Sequence, residues 1–161
     1  MSPERSNARP PILILGYGNT LRSDDGVGPK VAEAVAALNL PGVEAASYPQ
    51  LTPELADPIS RAGLVIFVDA ALGNPREVQI RPLEPAVSAQ IMAHAAEPQT
   101  MLALARDVFG HAPTACWLTI PIEDTSIGEG LSEFAQAGFC AALAKIVALA
   151  NQASASLQPL H

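Results

Sequence analysis

The chain has 161 residues, with 9 basic and 16 acidic side chains and a net charge of −7 when histidines are neutral, a size that fits one domain of about 100 to 200 residues. Hydrophobic residues make up 49% and charged residues 16%, enough apolar material for a core and too little polarity for a disordered segment. Scattered basic residues do not supply the clustered Lys and Arg that phosphate neutralisation needs, so a nucleic-acid partner is not expected.

Residues 1–10 read as a disordered lead to a single domain spanning 1–161. Ile12 to Leu15 is a continuous apolar run ended by Gly16, the pattern of a strand buried on both faces, and too short for the apolar core of a signal peptide. Gly28 to Leu38 carries Val31, Val35 and Leu38 at helical spacing, with Pro29 in the first turn and Pro41 beyond the end. Val43 to Ser47 is a weaker strand. Pro53 to Ala62 predicts a helix, capped by Thr52 and closed by Gly63. Leu64 to Val68 is the strongest strand pattern and ends at Asp69. Val78 to Arg81 alternates as an edge strand does, with Pro82 and Pro85 stopping it. A helix over Gln99 to Phe109, a buried strand over Cys116 to Ile122 and a long helix over Leu131 to Ala150 complete the chain. In that last helix Phe134, Gly138, Ala142 and Ile146 form the apolar stripe, widened by Val147 and Leu149, and Ser132, Glu133, Gln136 and Lys145 face water.

Strands alternating with helices predict an α/β protein with three layers, α/β/α, around a mostly parallel sheet. Cys116 and Cys140 lack the short spacing of a zinc or redox motif and read as buried thiols. The longest apolar run, Cys140 to Ala150, is interrupted by Lys145 and falls short of about 18 residues, so no membrane span is expected. The expected location is the cytoplasm.

The loop Gly16-Tyr-Gly-Asn-Thr-Leu-Arg-Ser-Asp-Asp-Gly-Val-Gly28 is the most informative segment. Its glycines permit close backbone approach, and two adjacent carboxylates stand where a helix begins. It fits neither nucleotide pattern. The third glycine of G-x-G-x-x-G would fall at Leu21, and no Gly-Lys-Ser/Thr is present. One aspartate is explained by capping the helix; two are more than a cap needs. Asp69 stands at the carboxyl end of its strand, where open α/β sheets bind ligands. If the two strands are neighbours, Asp25 and Asp69 meet, and two bare carboxylates so close repel unless a cation or proton lies between them.

His94 lies in the loop before the Gln99 helix, and gains weight from the two aspartates; His111 and His161 have no such company. Asp, Asp and His suit a divalent metal such as zinc, nickel or manganese, with coordination positions left open to polarise a peptide carbonyl or activate water. H-E-x-x-H, G-x-S-x-G and P-C-x-x-C are all missing, which weakens the thermolysin-like, serine-hydrolase and deaminase readings.

The segment Ile14 to Gly28, followed in order by Phe67-Val-Asp69-Ala, His94 and the last helix, resembles the hydrogenase maturation endopeptidases, which trim the large subunit of nickel-iron hydrogenases. The resemblance spans nearly the whole chain. It implies a five-stranded sheet in an α/β/α sandwich and a metal site built from an acid in the first loop, an aspartate after the third strand and a histidine, matching Asp25, Asp69 and His94. It implies a substrate: the large-subunit precursor, carrying its own nickel, from which a C-terminal peptide is removed. Asp25 and Asp69 are also the candidates for a catalytic carboxylate. Asn19 could orient a substrate amide or simply form the turn. The chain departs from the family at Ser47 to Thr52, where many relatives have Asp-Gly-Gly-Thr; Gln50 is the polar residue available there as a substitute substrate contact. A non-catalytic binding or chaperone protein that inspects a metallated partner is the alternative of a different class.

Overall fold

A computed structural model describes residues 11–73, 75–87 and 97–157. Five strands, β1 (Ile12–Tyr17), β2 (Val43–Tyr48), β3 (Leu64–Leu72), β4 (Gln79–Leu83) and β5 (Thr114–Ile122), form one sheet in the order β2-β1-β3-β5-β4. The β1, β2, β3 and β5 pairings are parallel, and β4 runs antiparallel to β5 at the edge. The described helices are α1 (Val27–Ala37), α2 (Ala56–Ser60), α3 (Pro98–Phe109) and α4 (Glu133–Leu157).

Alternation along the central strands sends apolar side chains to both faces, which is why the sequence shows unbroken apolar runs rather than a period of two. Leu13, Leu15, Val65 and Phe67 point to one face and pack with Ile59 of α2 and Met101 and Leu102 of α3. Ile12, Ile14, Ile66 and Val68 point to the other, against Val31 and Val35 of α1 and Ala142 and Ile146 of α4. Each fully buried large side chain of this kind contributes about 1.5–3 kcal/mol. The sandwich of three layers is therefore as expected.

Several local expectations need correction. β3 runs on past Asp69 to Leu72 because its pairing with β5 continues to Ile122, although its pairing with β1 ends at Val68. β4 passes through Pro82, which an edge strand tolerates because one row of its backbone groups is not needed by a neighbour. The segment after Thr52 splits into a 3-10 turn (Pro53–Leu55) and the short α2, and the Thr52 side chain makes no capping bond. Cys116 is half-buried and Cys140 exposed; neither is a core thiol. The last helix is longer than its apolar run: 133–153, with mean hydropathy 1.4, is long and apolar enough to cross a membrane by length and composition. Its Ala135, Gly138, Ala142, Ile146 and Ala150 are instead buried in the domain, largely on the predicted stripe.

Candidate functional site

The sheet order reverses between β1 and β3, since β1 connects outward to β2 on one side while β3 continues towards β5 on the other. A crevice opens at the carboxyl ends of two such strands. The first loop folds over it. Glycine makes that approach possible: a Cβ on Gly28 would stand 2.5 Å from the Val68 carbonyl oxygen and 2.8 Å from that of Tyr17. α1 thus begins pressed against the ends of β1 and β3.

Within the loop, Ser23–Gly26 is a 3-10 turn, so successive side chains diverge by about a third of a turn. The two adjacent aspartates accordingly have different partners. Asp24 is fully buried and faces the β5–α4 connection. One of its carboxylate oxygens accepts the Ser132 N–H at 2.7 Å; the other accepts the Ser132 hydroxyl at 2.7 Å and the N–H groups of Asp124 and Glu123 at 3.0 and 3.2 Å. Burial pushes its carboxyl up, but these bonds outweigh burial and hold it below the usual carboxylate range. Main-chain bonds from Ser23 to Gly128 and from Asp24 to Asp124 extend the clamp. Neither aspartate caps α1, whose N-cap is Gly26 without a side-chain bond. Ser132 is the one that caps: its hydroxyl accepts the Ala135 N–H at 3.1 Å at the start of α4, rather than facing water as expected.

Asp25 faces the crevice. Its carboxylate accepts the Asn19 N–H at 2.8 Å, while the Asn19 side-chain oxygen accepts the Leu21 N–H at 2.9 Å. Asn19 therefore spends its oxygen on the turn. Asp69 is the first residue of β3 beyond the end of β1 pairing. Burial pushes its carboxyl up to about 6; the Asp25 charge acts in the same direction, and the Tyr17 hydroxyl and the Ala70 N–H act against it. Asp25 and Asp69 are thus brought within electrostatic reach of one another. His94 and His161 lie outside the described residues, and His111 is exposed on the surface. Gln50 is exposed beside Pro49. Among the described residues no group of three or more His, Cys, Asp or Glu side chains is placed to hold a metal ion.

A groove of about 320 Å³ lies beside the loop, lined by Gly18 to Leu21, Glu33, Ser47 and Pro49. Its floor carries a hydrogen bond of 3.2 Å from the Ser47 hydroxyl to Glu33.

Known structures share this fold. The hydrogenase maturating endopeptidase HybD from E. coli matches over 89% of this chain and 93% of its own, with a TM-score of 0.69 and 22% sequence identity. The [NiFe] hydrogenase maturation protease HybD from Thermococcus kodakarensis matches over 87% and 99%, with a TM-score of 0.66 and 23% identity. The hydrogenase maturation protease HycI from the same organism matches over 89% and 93%, with a TM-score of 0.63 and 21% identity. The chain has the fold of the hydrogenase maturation endopeptidases. No family model and no curated protein matches it.

On this maturation-endopeptidase fold, sequence reasoning overlooked two side chains. Tyr17 and Trp117 point to the same face as Asp69, and both their polar atoms are buried without a hydrogen-bond partner of good geometry. Tyr17 reads from sequence as a loop residue between two glycines, and nothing local in the sequence announces that its hydroxyl is enclosed. The only available signal is parity, which puts Leu13, Leu15 and residue 17 on one face.

Proposed function

We propose that the protein is an endopeptidase that removes the C-terminal peptide of a nickel-iron hydrogenase large-subunit precursor after nickel has been inserted. The observation that carries this reading is the convergence of Asp25 and Asp69 at the switch point of a fold shared with proteases of that description. Nickel belongs to the substrate on this reading. Asp25 and Asp69, with His94, are the proposed contacts to it; carboxylate and imidazole groups suit a divalent first-row ion. A carboxyl titrating near 6, as Asp69 does, is suited to take up or release a proton at the cleaved peptide bond near neutral pH. The clamp through Asp24 holds the loop, while Asp25 spends one oxygen on the Asn19 N–H and keeps the other for the substrate. The groove along Asn19, Ser47 and Pro49 gives an extended segment of the precursor room beside the first loop, and Gln50, exposed next to Pro49, is the proposed polar contact there.

The proposed setting is the cytoplasm, consistent with two free cysteines. The proposed partner is a protein rather than a nucleic acid or a membrane. Incubation of the purified protein with nickel-loaded and nickel-free precursor tests the reading. Cleavage of the loaded form alone is the expected result. Tight binding without cleavage would replace the peptidase by a metal-inspecting chaperone, and the absence of both would remove the hydrogenase precursor as partner.

A further inference from the structure

Asp69 is the first β3 residue beyond its pairing with β1, and its surroundings are not those of an ordinary strand-end acid. The parallel register pairs Gly16 with Val68, so Tyr17 and Asp69 occupy the next rung. Alternation puts both on the face of Leu15 and Phe67. Trp117, paired with Phe67 across β3 and β5, stands on that face too. Tyr17 is 9% exposed, and neither its hydroxyl nor the buried Trp117 indole nitrogen has a well-formed partner. Buried donors in folded proteins are nearly always satisfied, so two orphans side by side call for an acceptor. The hydroxyl lies in interaction range of both the indole and the Asp69 carboxylate. The Arg81 guanidinium, 5.3 Å from the Trp117 ring centre, covers the indole from β4.

We propose that Trp117 and Tyr17 are positioning residues for Asp69: the indole N–H donates to the Tyr17 hydroxyl oxygen, and the hydroxyl donates to one carboxylate oxygen. The other oxygen is left for the substrate. The direction of the chain follows from chemistry, because indole can only donate and an ionised carboxylate can only accept. The hydroxyl is the one group of the three able to do both. Such chains polarise each bond in turn, and partners behind a ligating carboxylate fix its orientation. The functional half of the inference rests on the peptidase reading; the structural half does not.

The chain has a single tryptophan, so one indole cross-peak in a 15N–1H spectrum reports the first bond directly. Tyr17→Phe removes one oxygen and keeps the ring. The expected result is an upfield shift and faster solvent exchange of the indole proton, with a lower melting temperature because the buried indole N–H and carboxylate lose their shared partner. Asp69→Ala should move the same peak in the wild-type background but not in Tyr17→Phe, because the hydroxyl is the link. In precursor processing, Tyr17→Phe and Trp117→Phe should lower kcat by about ten-fold, the scale of a lost partner behind a site carboxylate, and leave KM unchanged. An indole peak indifferent to Tyr17→Phe overturns the proposal, and an unaltered kcat in Tyr17→Phe and Trp117→Phe, where the wild type cleaves, overturns the positioning role. If the wild-type protein leaves the precursor uncut while the indole responds to both substitutions, the peptidase reading falls and the donor chain stands.

Discussion

Ser132 donates twice to Asp24, through its backbone N–H to one carboxylate oxygen and through its hydroxyl to the other, each at 2.7 Å. The two residues are 108 positions apart, and their pairing ties the first loop to the start of α4. Replacing Asp24 by Asn sets an amide donor against groups that themselves donate, leaving buried N–H groups without an acceptor. The expected cost is about 3 kcal/mol, read as a lower urea midpoint at unchanged slope. Ser132→Ala keeps the backbone bond but loses the hydroxyl bond and the cap of α4, and should cost about 1–2 kcal/mol.

The same pairing predicts an acid limb of stability. The folded Asp24 carboxyl lies below its unfolded value, so the stabilisation it supplies is complete above the unfolded pKa, near 3.9. It is lost as pH falls through the folded pKa. The stability difference between wild type and Asp24→Asn should accordingly hold from neutral pH down to about 4 and shrink below that. A constant difference down to strong acid would mean that the Asp24 charge contributes nothing.

Asp69 behaves in the opposite sense. Its folded pKa of about 6 lies above the usual carboxyl value, so the fold favours its protonated form. Its contribution is complete below the unfolded pKa and is lost as pH rises from about 4 to about 6. Burial is the larger cause and the Asp25 charge a further one. Asp25→Asn should therefore move the Asp69 midpoint part of the way down, not all of it. The check is the side-chain carboxyl 13C shift of Asp69 followed through pH in both proteins.

What the sequence made legible divides along physical lines. β1 and the first part of β3 are covered on both faces by helices, so their apolar runs are unbroken and readable. The second half of β3 is not, since Ala70, Ala71 and Leu72 carry no strand signal of their own and are held by pairing with Ile120, Pro121 and Ile122. Asp24 and Asp25 look alike in sequence; only contacts with Ser132 and Asp124, far along the chain, separate the buried clamp from the crevice acid. Helical spacing places Ser132 on the outer side of α4, whereas its position just ahead of Glu133 makes it the cap.

Gly28 offers a test of the close approach beneath the loop. A methyl group there would meet the Val68 and Tyr17 carbonyl oxygens at 2.5 and 2.8 Å, both main-chain atoms that cannot turn aside. Gly28→Ala should force α1 off the ends of β1 and β3 and cost about 1–3 kcal/mol, as overpacking does. The displacement would also carry Asp25 away from Asp69. The Asp69 midpoint should then fall, as in Asp25→Asn, in a protein whose acidic residues are all intact.

On the proposed peptidase reading, processing should depend on Asp25 more than folding does. Asp25 is half-buried, and its carboxylate accepts the Asn19 N–H, a bond that the amide oxygen of Asn can replace. Asp25→Asn should therefore melt close to the wild type. What it removes is the negative charge facing Asp69, and with it the proposed grip on the precursor's nickel. Cleavage of the nickel-loaded precursor, followed by the mobility shift of the trimmed subunit, should drop by about 100-fold or more, the scale of a lost acid–base group. His94→Ala should do the same if the third contact is that imidazole. Full cleavage by Asp25→Asn and His94→Ala would remove both residues from the mechanism and leave Asp69 as the one proposed site carboxylate.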